Sequence, residues 1–290
     1  MRGKGWEGVD VEHEIAPNSQ IFHFNISNLP LDISPLASYN LTKFKKYCAE
    51  GKIMSRNVNR PFSPSVEDYV KVIYKLQQSG ESVSTNALSR RMKTTPAAAS
   101  KMFKVLADMK LIEHTPYYGA KLTLPGEKVA LEVIRHHRLL ELYLHQALGY
   151  GWDEVDAEAE KLEHHISEEF EDRIDQMLDY PKLDPHGDPI PTREGTIEPL
   201  RGTSLVDSEA GETVTVLRVQ DDDPSALRFL AKMGVRLNGQ IRVVDKQPFN
   251  GPLTLQIAES EHTLGRELAG QIFVESYSEQ EIAVGGETWK

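Results

Sequence analysis

Residues 94–124 read TTPAAASKMFKVLADMKLIEHTPYYGAKLTL. Thr95 is placed to cap a helix whose first turn holds Pro96. The helix is expected to run to about Lys110, because Ala99, Met102, Phe103, Leu106 and Met109 recur at 3.6-residue spacing and leave Ser100, Lys101 and Lys104 on or near the other face. Two short strands follow, over residues 111–114 and 120–124, around the turn Tyr117-Tyr-Gly119.

Upstream, Ser63 and Pro64 open another helix with apolar residues at Val66, Tyr69, Val70, Ile73, Tyr74 and Leu76, and Gly80 ends it. A shorter helix over residues 85–92 turns Ala87, Leu88 and Met92 inward. Three helices followed by a hairpin make a winged helix-turn-helix over residues 61–124. Arg90, Arg91, Lys93, Lys101 and Lys104 form a basic rim for phosphate contacts, joined by Lys121 on the wing. Thr95, Ala97 and Ser100, near the start of the recognition helix, are the candidate base-edge readers.

Downstream, residues 126–148 form a long helix apolar on a broad stripe, which calls for a partner, and two helices over 153–165 and 167–178 complete a helical module over 125–180, taken as the dimerisation domain. Residues 181–202, proline-rich, read as a linker. From residue 203 to 277 β-rich segments (214–219, 241–244, 253–257, 272–274) enclose a short helix at 225–233, a spacing that suits a small barrel. Residues 278–290 are a tail. Residues 1–60 show weak periodicity and receive no domain; Met54 offers an alternative start, so the upstream stretch reads either as a gene-model extension or as a flexible arm. The fold class is mainly α with β.

The chain has 290 residues and a net charge of −11, which at first argues against nucleic acid. The charge is segregated: residues 61–124 carry a net +4 and residues 125–180 a net −10. Basic and acidic modules suit separate tasks, DNA in one and cations in the other. One cysteine, Cys48, and no basic-then-apolar leader favour the cytoplasm, and no stretch approaches the roughly 20 apolar residues of a membrane span. No membrane and no small-molecule substrate are expected as partners.

Glu160, Glu163 and His164 stand at i, i+3 and i+4, so they project from one helix face, and their mutual repulsion would be relieved by a cation. An isolated E-x-x-E-H is ordinarily a solvated acidic surface. Context comes from His137 and Glu141, at i and i+4 one helix earlier, which add the mixed N/O donors that first-row divalent metals accept. Asp68 is a further acidic candidate, and His136 reads as a polar position at a dimer interface.

Four strings in order, Ser65-Val-Glu-Asp-Tyr-Val-Lys-Val-Ile-Tyr74, His137-Arg-Leu-Leu-Glu141, Glu158-Ala-Glu-Lys-Leu-Glu-His164 and Pro181-Lys-Leu-Asp-Pro-His-Gly-Asp-Pro-Ile-Pro191, make the chain resemble the diphtheria toxin repressor family. The resemblance spans about residues 62–277 and is to manganese-responsive members with a C-terminal SH3-like (FeoA-like) domain. It implies a homodimer that binds double-stranded operator DNA when metal-loaded and controls manganese uptake genes, with no enzymatic activity. It places the primary site on Asp68, Glu160, Glu163 and His164, and a second on His137 or Glu141 with Asp184, His186 and Asp221. Asp68 and Glu160 stand where the iron-responsive branch has Met and Cys, and hard oxygen in place of soft sulfur favours Mn(II) over Fe(II).

Lys71 departs from the pattern, since shorter manganese regulators carry a glutamate there that helps hold a two-metal cluster. A protonated lysine cannot ligate, so one primary ion and a separate barrel-linked one are expected. Two alternatives stand beside this reading: an Fe(II)-responsive repressor, and a metal-dependent hydrolase, for which the H-E-x-x-H motif is missing.

Overall fold

Ser63, Ser84 and Thr95 each start a helix by the same device, a side-chain oxygen accepting from the backbone N–H three residues on, at 3.4, 3.1 and 3.2 Å. The computed structural model describes residues 62–78, 80, 82–220 and 223–277. The expected extension over 1–60, the tail over 278–290 and the candidate ligand Asp221 lie outside the described residues. The three helices are α1 (Pro64–Gln77), α2 (Thr85–Arg91) and α3 (Pro96–Asp108). β1 (Ile112–Thr115) pairs antiparallel with β2 (Gly119–Leu122), and Val83 bridges to Ala120 to tie the hairpin to the helices. Phe103, Leu106 and Ala99 of α3 are fully buried with Val70 and Ile73 of α1, so the apolar set read at helical spacing is the core of the winged helix.

α4 (Leu124–Leu148) begins earlier than its spacing predicts. Thr123, expected in the second strand, instead caps the helix, its Oγ1 accepting from Gly126 N at 3.3 Å while its hydroxyl donates to Lys110 O at 2.7 Å. Gly126 is required there, because a Cβ would lie 2.0 Å from the Leu111 carbonyl oxygen. α4 serves two cores. Ala130 near its start belongs to the winged-helix core, whereas Leu139, Leu140, Leu142 and Leu144 pack with Val155, Ala159 and Ile174 of α5 (Val155–Leu162) and α6 (Glu168–Met177). α5 stops at Leu162, so Glu163 caps it and His164 falls in the following turn rather than on a continuous helix.

The expected linker is not a solvated spacer through its middle. Residues 184–191 are all buried. Asp184 Oδ1 accepts from His186 N at 2.8 Å and Asp188 N at 2.9 Å, closing a tight turn. Arg135 and Arg138 of α4 donate to the carbonyls of Pro191 and Pro189. On the other side His186 O accepts from Val219 N at 2.9 Å. The prolines therefore fix bends in a packed strap, because backbone groups buried between two domains must find partners.

Beyond the strap, β3 (Thr203–Ser204), β4 (Thr213–Val219), β5 (Gln240–Lys246), β6 (Leu253–Ile257), β7 (Ser260–Leu264) and β8 (Ile272–Ser276) form one antiparallel sheet in the order β3-β8-β4-β5-β6-β7. The expected barrel is an open one: β3 and β7 are edges and do not pair. β3 is only two residues long and is used up against β8, while bulges near Val216 and Val243 bend the sheet around its core. α7 (Pro224–Lys232) buries Leu227 and Leu230 in that core, and α8 (Arg266–Ala269) precedes β8. β7 escaped the sequence reading because Ser-Glu-His-Thr-Leu is too polar to announce a strand.

Candidate metal centre

Packing of α1 against α4, and of α4 against α5, brings acidic and imidazole side chains from the winged helix and the helical module to one junction. Asp68, on α1, reaches His164 after α5, with Oδ1 to Nε2 at 2.7 Å. Glu163 Oε1 lies 3.3 Å from the same nitrogen. The donor atoms of Asp68, Glu163 and His164 thus fall within 4.8 Å of one another. Glu160 belongs to a second, overlapping group with His137 and Glu163. Its Oε2 is 3.7 Å from His137 Nδ1, and the side chain is half exposed.

Lys71 Nζ stands between these carboxylates, donating to Glu163 Oε1 at 2.6 Å and Glu160 Oε2 at 2.7 Å. Burial alone would lower the Lys71 pKa, but Glu163 and Glu160 outweigh it and hold the ammonium above its ordinary range. For His164 burial also acts downward, and hydrogen bonds to Asp68 and Glu67 lift it to about 9. Glu67, whose Oε2 is 2.6 Å from His164 Nδ1, was missed by sequence reading. It sits beside Asp68 with no distinguishing local signal, and only its burial singles it out.

A chain of side chains continues inward. His137 Nδ1 is 2.5 Å from Glu163 Oε2, and its Nε2 faces Asp156 Oδ1 at 3.3 Å and Glu141 Oε1 at 3.4 Å. Against the downward pull of burial, Glu141, Asp156 and Glu163 hold His137 well above its ordinary value. Asp156 was also missed; it lies one turn before Glu160, a spacing that could have found it. Glu141 Oε1 then stands 3.8 Å from His186 Nδ1, and Glu141, Asp184 and His186 form a fully buried donor group. Burial, then the negative charges of Glu141 and Asp188, raise Asp184 to about 7.

Does this deeper group fit a divalent ion? Glu141 is completely buried and neither of its carboxylate oxygens has a hydrogen-bond partner among the described residues. A buried carboxylate without a hydrogen-bond partner is costly even with His137 3.4 Å away, and the O/N set around it is one that first-row divalent ions accept. The residues fit. His136, expected at a dimer interface, is instead committed within the chain, with Nε2 2.9 Å from Glu171 Oε2 in a buried network with Arg135.

On the candidate DNA face, Arg90, Arg91, Lys93, Lys101, Lys104 and Lys121 are exposed, as are Thr95 and Ala97, while Ser100 is partly covered. Thr95 Oγ1 accepts one hydrogen bond as the α3 cap, which leaves its hydroxyl proton and a second lone pair available to a base. No helix among the described residues is long and apolar enough to cross a membrane.

Three family models match in order: the N-terminal DNA-binding domain of iron-dependent repressors over residues 61–120, their metal-binding and dimerisation domain over 123–192, and the FeoA domain over 203–276. The iron-dependent repressor IdeR of Mycobacterium tuberculosis is 30% identical over 227 residues, covering 73% of this chain and 96% of that protein. The HTH-type transcriptional regulator MntR of Oceanobacillus iheyensis is 30% identical over 122 residues, covering 42% and 82%. Among solved structures, a manganese-dependent transcriptional repressor in complex with manganese is 38% identical with a TM-score of 0.68, covering 73% of this chain and 100% of the other.

Proposed function

The chain belongs to the iron-dependent, or diphtheria toxin, repressor family, and we propose that it is a homodimeric repressor that holds operator DNA when loaded with Mn(II). Members of this family are metal-dependent transcriptional repressors and not enzymes, and this chain is one of them. One observation supports Mn(II): Asp68 from the winged helix meets Glu163 and His164 from the helical module, and two of those three residues offer hard oxygen.

A divalent ion held by these residues would supply the positive charge that neutralises two carboxylates across the domain junction. Asp68 contributes the winged-helix side of that closure, and Glu163 and His164 the other. The angle between recognition helix and helical module is then restrained, and an arrangement suited to DNA gains population over arrangements that are not. Lys101, Lys104 and the rim of Arg90, Arg91 and Lys121 meet phosphates, and Thr95, Ala97 and Ser100 face base edges. Glu141, Asp184 and His186 would hold a second ion against the strap, with Asp221 from the C-terminal domain as a further donor. Expected targets are manganese homeostasis genes such as uptake transporters.

Fe(II) is the second reading, favoured by the likeness to mycobacterial IdeR. Anaerobic gel-shift titrations of operator fragments with Mn(II), Fe(II) and chelator separate the two. Half-maximal DNA binding at lower free Mn(II) than the cell maintains, with Fe(II) ineffective at its own cellular level, is the expected outcome. Equal DNA affinity with and without chelator overturns both.

A further inference from the structure

Glu141, Asp184 and His186 are 0%, 3% and 0% exposed, so an ion reaches them only through an opening in the fold. A cavity of about 650 Å³ lies where the end of α4 and the strap face the residues that follow α7. Leu142, Leu183, Val235 and Leu237 line it, together with Trp152 and Asp184. Asp184 thus belongs both to the cavity wall and to the buried donor group. Its Oδ1 is engaged in closing the strap turn, whereas Oδ2 has no hydrogen-bond partner among the described residues and stands 3.4 Å from Arg138 Nε. Trp152, on the loop between α4 and α5, stands against His186. The two rings stack with centroids 6.1 Å apart, and the Trp152 carbonyl accepts from His186 Nε2 at 2.6 Å. A proton held on Nε2 leaves the lone pair of the neutral ring on Nδ1, the nitrogen 3.8 Å from Glu141 Oε1.

We propose that this cavity is the port through which a divalent cation enters and leaves the buried Glu141-Asp184-His186 group, and that Trp152 is its gate. This deepens the proposed function and rests on its second ion. The net charge of −10 over residues 125–180 draws cations toward the module, and Asp184 Oδ2 offers an arriving ion a first oxygen at the wall. The leucine and valine side chains that line the cavity carry no competing donor atom. Trp152 controls the last step, because its indole lies against the histidine that the ion must reach. The gate is also linked to the C-terminal domain. The Trp152 side chain packs against the core of that domain, and Asp153, next in the loop, pairs with Arg228 of α7 at 3.1 Å. Seating of the C-terminal domain therefore holds the gate closed, and its loosening opens it. A port of this kind sets how fast the ion exchanges and leaves its affinity unchanged, since entry and exit cross the same barrier.

The test uses the full chain with Mn(II) alone, counting ions by equilibrium dialysis and timing uptake and release by stopped flow with a fluorescent chelator. Glu141→Gln should bind one ion fewer than wild type, which identifies the kinetic phase of the second ion. Ala231, exposed on the cavity wall, gives a way to fill the port from outside the donor group. Ala231→Trp should slow both uptake and release of that ion by about tenfold, a barrier change of about 1.4 kcal/mol, with ion count and affinity as in wild type. Trp152→Ala should speed both rates, and its main-chain carbonyl still holds His186. Wild-type rates in Ala231→Trp overturn the proposal, as does slower uptake accompanied by a matching loss of affinity. Should Ala231→Trp fail to fold, unchanged rates in Trp152→Ala overturn it equally. Equal ion counts in wild type and Glu141→Gln would instead remove the second ion of the proposed function, a distinct result.

Discussion

His164 Nε2 lies 2.7 Å from Oδ1 of Asp68, a residue 96 positions earlier and in the other domain. The contact joins the matched DNA-binding domain to the matched metal-binding and dimerisation domain. Under the proposed function, a change at Asp68 should therefore alter DNA binding without touching the DNA face.

Asp68→Ala should leave the fold intact, since Asp68 is only partly buried, yet erase the metal response. The ratio of operator affinity in Mn(II) to that in chelator should fall from somewhere in the range of about 5–150 to near one. Fluorescence anisotropy with labelled operator measures both arms, and a ratio that stays at the wild-type value removes Asp68 from the switch.

Lys101→Ala and Lys104→Ala remove exposed charges from the outer face of α3. Each should weaken binding to all DNA sequences alike and lower the slope of log affinity against log salt by about 1. An unchanged slope places that lysine off the phosphate backbone.

Glu171 gives a pH signature independent of metal. Burial opposes its ionisation, but His136 and then Arg135 outweigh that and bring the carboxyl from an ordinary 4.5 to about 2. A depressed folded-state pKa adds stability above the unfolded value, and this is lost as pH falls toward the folded one. In chelator, Glu171→Gln should thus be less stable than wild type near neutrality, with the gap closing between about pH 4.5 and 2. Urea midpoints across that range decide it; a gap independent of pH would show that the loss is one of packing alone.

Gly187 has a φ of +90°, and a Cβ there would lie 2.1 Å from the Leu217 carbonyl oxygen of β4. Gly187→Ala should lower stability by about 1–3 kcal/mol and loosen the strap from the sheet. Thermal unfolding together with amide exchange at Val219, whose N–H donates to His186 O, reports both effects. Wild-type protection at Val219 in the variant would argue that the seating of the strap does not depend on this glycine.

Much of the architecture was legible in the sequence. Ser63, Thr95, Pro64 and Pro96 marked helix starts, and the inward residues of α1 and α3 followed from spacing alone, because caps and periodicity depend on neighbours within a turn or two. Thr123 misled, since a threonine after an apolar alternation suits a strand end and a helix cap equally well. The strap misled more: prolines raise the odds of a spacer, and nothing local says that Arg135, Arg138 and Val219 will meet it from two sides.

Of the candidate metal centre, the sequence by itself determined which side chains carry donor atoms, Asp68, Glu163, His164, Glu141 and His186 among them, because donor chemistry belongs to the side chain. Tertiary structure decided the grouping. It set Glu160 beside His137 and Glu163, brought Glu67 to His164 and Asp156 to His137, and placed Lys71 between two carboxylates some 90 residues away. Which donors share a point in space depends on how α1, α4 and α5 pack, and packing is a long-range balance of buried area and paired charge that no short stretch of sequence contains.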